Sequence, residues 1–251
     1  MQECFSLDGK IALIAGYFDR VTEVIALALA EAGADIALAP ANEVALQEVA
    51  GKIKIFKHRF LITPINIADH QGVRSYVKRT ISELGGIDIL VNSSRLQFAK
   101  PFLEISEEEW HKVIDANLNG AFRYSKVVGE QMLKQKRGRI INLISALSER
   151  GLSNCAALCT SLGGVHQLTQ ALAIEWARYG IRVNAIAPGW LSTEVSSIEK
   201  PMEEALLKYI PMGRCGQPEE LGALAVLLAS DSCDYITGQT FLVDGGISIR
   251  P

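Results

Sequence analysis

No run of apolar residues in this 251-residue chain approaches the roughly 18 that would point to a membrane span. The first ten residues contain no basic stretch leading into an apolar one, so no secretory signal is expected. Excess positive charge is missing as well. The net charge of −3 gives no basic footprint for nucleic acid. Cysteine is scarce and odd in number. Five residues, with Cys4, Cys215 and Cys233 far apart, argue against a disulfide framework and for free thiols in a reducing cytoplasm. The four histidines (His58, His70, His111, His166) show no metal-ligand spacing, so no metal is expected. There is no P-loop, nucleophile elbow, paired-carboxylate motif, internal repeat or linker.

What the chain does have is hydrocarbon, in a regular order. Nearly half of its residues are apolar, and short apolar runs alternate with helix-like stretches from end to end. That order predicts a single α/β domain over 1–251, a doubly wound, mostly parallel sheet in three layers. Strands are predicted at 10–15, 35–39, 59–67, 87–91, 139–144, 181–187 and 240–243, with Pro64 weakening the third. Helices are predicted at about 20–32, from 42, at 69–84, 106–135, 154–178 and 217–229. Ser106 and Glu109 form a capping box for the long fourth helix, and Gly180 closes the fifth. The stretch 190–214 is less regular and lid-like. In such a sheet, ligands bind beyond the carboxyl ends of the strands.

Several segments carry a resemblance to a known family: DILVN at 88–92, NLNGAF at 117–122, GRIINLIS at 138–145, the run from 168 to 189, and the run from 211 to 246 that ends in VDGG. Together they span nearly the whole chain and resemble the short-chain dehydrogenase/reductase family, a Rossmann-like fold. The resemblance implies a Tyr and, four residues later, a Lys on the helix after strand five, the Tyr protonating a carbonyl oxygen and the Lys lowering its pKa. Counted back from 180–184, those positions are Leu158 and Leu162, which neither donate protons nor carry charge. Asn117 and Ser145 match the family's Asn and Ser, and are expected to persist as structural remnants.

The glycine turn departs too. The family's T-G-x-x-x-G-x-G uses glycine to let the backbone approach a diphosphate at a helix N-terminus. Here Gly16 remains, but Arg20 and Thr22 stand at the other two glycines. They are expected to fill the diphosphate's seat. After strand two, Pro40 replaces the acidic residue that holds the ribose hydroxyls in NAD users. After strand four, Asn92 is kept but Arg95 replaces a glycine. Thr193 matches the residue that holds the nicotinamide amide. Arg20 and Arg95 are expected to plug the cleft by pairing with Asp19 or a neighbouring carboxylate; the alternative is an anion site. Cys155 and Cys159 share a helix face and are expected to be packing residues rather than a metal or redox pair.

These departures lead to the expectation of a catalytically inactive subunit that binds no cofactor. Its partner would be an active homologous short-chain dehydrogenase holding NAD, in a heterodimer or heterotetramer. What the resemblance implies for such a complex is a hydroxyacyl-CoA dehydrogenase, of the kind that oxidises 2-(hydroxybenzyl)succinyl-CoA in anaerobic toluene degradation. Two alternatives stand beside it. One is a divergent active NAD(P)-dependent oxidoreductase of the family. The other is a metabolite-sensing regulatory protein that uses the altered cleft.

Overall fold

The computed structural model describes residues 2–40, 46–195 and 200–250. Its strands are β1 (Ile11–Gly16), β2 (Asp35–Pro40), β3 (Phe60–Ile62), β4 (Ile89–Ser93), β5 (Gly138–Leu143), β6 (Ile181–Pro188) and β7 (Thr240–Val243). They form one seven-stranded sheet in the order β3-β2-β1-β4-β5-β6-β7, and every pairing is parallel. The chain winds outward in both directions from the β1/β4 boundary. That boundary is the topological switch point, where a ligand crevice opens.

Helices cover both faces, which is why β1, β4 and β5 are buried at every position. On one side α1 (Arg20–Glu31), α2 (Leu46–Lys54) and α9 (Gly222–Ala229) pack Ile25, Leu29, Ile53 and Leu228 against Ala12 and Ile14 of β1. On the other, α3 (His70–Leu84), α5 (Gly120–Gln135) and α6 (Ala156–Trp176) bring Val73, Tyr124, Met132 and Trp176 against Leu13 and Ala15. Successive β1 residues thus serve opposite cores, as the two-residue strand period requires. The remaining helices, α4 (Glu107–Ile114), α7 (Ser192–Val195) and α8 (Lys200–Tyr209), stand at the crevice end. The last two lie within the lid-like stretch 190–214.

Three predicted elements are reshaped. The third strand is limited to Phe60–Ile62. Pro64 has no N–H to give, and past Ile62 the ladder to β2 continues as Thr63 N–H to Leu38 O (3.1 Å) before Pro64 and Ile65 N–H to Pro40 O (2.9 Å) after it. The predicted helix over 106–135 begins at the Ser106–Glu109 capping box but is broken by a π-helical turn at Asp115–Asn119. Arg123 holds that turn, donating to the Asp115 carboxylate and to Ile67 O. Burial pushes the Asp115 carboxyl up, but hydrogen bonds from Arg123 and Asn119 outweigh it and leave it below its ordinary value. The predicted helix over 217–229 starts as a 3-10 turn, Pro218–Leu221, before α9. The predicted start of the second helix at 42 falls outside the described residues; α2 is seen from Leu46.

Candidate active site

Two surfaces meet at the carboxyl ends of the strands. The first lies where β1 and β4 part. Gly16 has φ +128°, and a Cβ there would lie 2.5 Å from the Ser93 carbonyl carbon. Only glycine fits this close approach of the two strand ends. The chain then turns through Tyr17, whose N–H donates to Ser93 O at 3.1 Å. Asp19 N-caps α1, its Oδ1 accepting from Thr22 N–H at 2.8 Å.

The two residues at former glycine positions do not act as the sequence predicts. Arg20 does not fill the crevice. Its guanidinium turns along the outer side of α1 to Glu23 (2.8 Å) and to Glu219 in the turn before α9 (2.6 Å). Glu23 also takes Lys52 at 2.6 Å. Burial raises the Glu23 carboxyl, but these two cations outweigh that and hold it below its usual range. Two carboxylates on the far side of α1 out-compete the crevice for this guanidinium. Thr22, 2 % exposed, lies beneath the turn. Its hydroxyl donates to Tyr17 O at 3.0 Å and contacts Asp19 Oδ1 and Ser93 Oγ. It therefore stitches α1 to the ends of β1 and β4 from below. Of the predicted plug, only the Arg95 part stands in the crevice. Arg95, 8 % exposed, reaches Asp19 Oδ2 at 3.3 Å and bridges the two loops at the switch point.

The other remnants are placed unevenly. Pro40 is buried at the end of β2. Asn92, 2 % exposed, turns into the sheet, its Nδ2 donating to Ser125 Oγ (3.0 Å) and to Asn142 Oδ1 (2.7 Å). It is a tie between β4, β5 and α5. Thr193 stands exposed at the start of α7.

The second surface belongs to α6 and the chain after β5. Leu158 and Leu162 are 3 % and 0 % exposed, packed with Ala121, Ile144, Val165 and Ala185. They have joined the core. Asn117 is fully buried in the π turn. Its Oδ1 accepts from Leu96 N–H at 2.6 Å, and its Nδ2 donates to Leu96 O (3.2 Å) and Ser161 Oγ (3.0 Å). It fastens the loop after β4 to α6. Ser145 follows β5, accepting from Leu147 N–H at 3.3 Å, and faces a cavity of about 340 Å³.

Sequence reasoning missed most of that cavity's wall: Gln97, Arg150, Leu152, Trp190, Tyr209 and Ile247. They come from four separate stretches, and no local pattern joins them. Tyr17 was missed too; burial and the nearby Asp115 carboxylate push its phenol up, which keeps it protonated. Cys155 is buried and Cys159 half-buried. Burial, with Cys159 alongside, raises the Cys155 thiol, so it is no ready nucleophile. His166 is engaged through both ring nitrogens, Nδ1 with Thr240 Oγ1 (3.0 Å) and Nε2 with Gln170 (3.3 Å). Among the described residues no cluster of three metal-ligating side chains occurs, and no helix is long and apolar enough to cross a membrane.

Known proteins match this chain along nearly its whole length. A family model described as enoyl-(acyl carrier protein) reductase matches residues 21–248. A 2-dehydro-3-deoxy-D-gluconate 5-dehydrogenase of Pseudoalteromonas atlantica is 38 % identical, with 98 % of each chain covered. A D-threitol dehydrogenase of Mycolicibacterium smegmatis is 35 % identical over 98 % of this chain and 95 % of its own. A gluconate 5-dehydrogenase from Burkholderia cenocepacia, solved in complex with NADP and tartrate, superposes with a TM-score of 0.94 at 34 % identity, covering 100 % of this chain and 99 % of that one.

These findings correct two expectations. A non-catalytic subunit of a hydroxyacyl-CoA dehydrogenase is overturned, because relatives matched end to end are themselves named as dehydrogenases. A chain without a dinucleotide, with NAD confined to a partner, is overturned by the NADP complex of so close a structural relative. The physical reason lies in the crevice: Arg20 points away from it and Thr22 lies beneath it, so neither takes the space that the sequence assigned to them. With a single parallel sheet wound from its switch point and relatives matched along its whole length, the chain belongs to the short-chain dehydrogenase/reductase family.

Proposed function

We propose that this chain is an NAD(P)-dependent oxidoreductase that interconverts a secondary alcohol and a ketone, with a proton-transfer apparatus that has diverged from its family's. The observation that carries this reading is the pairing at the switch point: Arg95 meets Asp19 there while Arg20 turns away to Glu23 and Glu219, beside a cavity that Ser145 lines. The residues present fit a dinucleotide. Gly16 allows the strand ends their close approach, and Thr193 stands on the lid-like stretch. Arg95 offers a guanidinium now neutralised by the half-exposed Asp19, and a diphosphate can take that carboxylate's place. When bound, the nicotinamide supplies or accepts the hydride.

The chain's own part is orientation. Ser145 Oγ is placed to hydrogen-bond the substrate oxygen. Asn117 and Ser161 keep the loop after β4 against α6, and so hold one wall of the cavity. Leu158 and Leu162 cannot replace a Tyr–Lys pair, so turnover is expected to be slower by roughly 10²–10⁴ than with an intact general acid. We also infer assembly with a homologous subunit through α5 and α6, on which Phe122 and Ile174 are exposed. The test is turnover with NAD and NADP against a panel of small polyols and hydroxy acids. Slow cofactor reduction that Ser145→Ala diminishes supports the reading. Cofactor reduction that Ser145→Ala leaves unchanged contradicts it.

A further inference from the structure

The cavity beyond Ser145 is walled largely by hydrocarbon: Leu147, Leu152, Trp190, Leu206 and Ile247, with the Tyr209 ring. At about 340 Å³ it has room for about ten non-hydrogen atoms, taking the roughly 30 Å³ that a water molecule occupies in the liquid. A sugar acid or polyol carries a hydroxyl on nearly every carbon. Each hydroxyl buried without a partner costs about 1–3 kcal/mol, and the side chains of Leu147, Leu152, Leu206 and Ile247 offer none. Among the described residues the polar side-chain groups on the lining are those of Ser145, Gln97 and Arg150, the Tyr209 hydroxyl and the Trp190 indole N–H.

Arg150 is the exception that sets the chemistry. Its Nη1 donates to Ile247 O at 2.6 Å, which ties it to the turn Ile247–Ile249. One of five guanidinium donors is thus used for anchoring. Among the described residues no carboxylate pairs with Arg150, and its neighbour Glu149 lies 3.7 Å from His166 Nδ1 instead. An anchored guanidinium at the rim of an apolar cavity suits a carboxylate, which it can grip in a bidentate fork.

We propose that this cavity takes a hydroxy or keto monocarboxylate with a hydrocarbon body, its carboxylate on Arg150, its body among Leu147, Leu152, Trp190 and Leu206, and its oxygenated carbon toward Ser145. The inference rests on the oxidoreductase reading of the same site and names its substrate class. Its hydrocarbon body sets that class apart from the polyhydroxylated gluconate and threitol compounds in the names of two relatives.

Binding calorimetry tests it without any turnover. Octanoate, gluconate and 1-octanol are titrated into the full chain, with and without NADP, and octanoate into Arg150→Gln and Arg150→Lys. Octanoate is expected to bind at least tenfold tighter than gluconate or octanol. Arg150→Gln should weaken octanoate at least tenfold, and Arg150→Lys should restore part of the loss. Gluconate binding as tightly as octanoate, octanol binding equally well, or an unchanged Arg150→Gln variant overturns the proposal. No octanoate binding in either cofactor state also overturns it. If octanoate binds through Arg150 while NAD and NADP do not bind at all, the oxidoreductase reading fails and the cavity assignment stands.

Discussion

The two faces of the crevice have departed from the family pattern in different ways. On the dinucleotide side the new residues are polar and satisfied by one another or by nearby carboxylates: Thr22 with Tyr17, Asp19 and Ser93, Arg95 with Asp19, Arg20 with Glu23 and Glu219. On the proton-relay side the replacements are Leu158 and Leu162, absorbed into the core. Polar pairs can exchange partners when a ligand brings its own charge. Buried leucines cannot acquire an acid. On the proposed reading the first face keeps groups that can meet a ligand, whereas the second needs a new side chain to supply an acid.

The largest effect should come from the second face. Leu158→Tyr with Leu162→Lys is expected to raise kcat by about 10²-fold or more, the range that a general acid supplies, measured as cofactor reduction. No gain in a folded double variant would mean that the first face limits the reaction. Next in size is Gly16→Ala. Its Cβ would sit within 2.7 Å of Ser93 and Ser94 backbone atoms at a positive φ, so a loss of more than about 3 kcal/mol in urea denaturation is expected. Thr22→Ala should cost about 1 kcal/mol, the worth of a buried hydrogen-bonded hydroxyl, and leave dinucleotide affinity nearly unchanged because the hydroxyl lies beneath the turn. A tenfold change in affinity would place Thr22 in the binding surface instead.

The smallest effect is a pH dependence. The Asp115 carboxyl lies below its ordinary value in the folded chain. Its contribution is therefore complete above the unfolded pKa of about 4 and lost as pH falls through the folded value. Melting temperature followed from neutral pH down to about 3 should fall less steeply in Asp115→Asn than in the native chain. Equal slopes would show that the π turn does not depend on this charge.

The fold was legible because its signals are local and repeated. The strand 240–243 is observed where the apolar run put it, and the Ser106–Glu109 box opens its helix. The π turn was not legible, because it depends on Arg123 and Asn117 reaching Ile67, Leu96 and Ser161 from distant segments. The positions of the former glycines were legible, but the directions of their side chains were not. Nothing near Arg20 announces that Glu219, far along the chain, will draw it off the crevice. The cavity wall failed for the same reason: Arg150 gains its setting from Ile247.

The central claim is that the switch point still admits a dinucleotide once Arg95 trades Asp19 for phosphate. Titration of NAD and NADP into the purified chain and into Arg95→Glu measures this directly. Micromolar binding that weakens at least tenfold in the variant is the predicted result; no binding to the native chain at millimolar dinucleotide would contradict it.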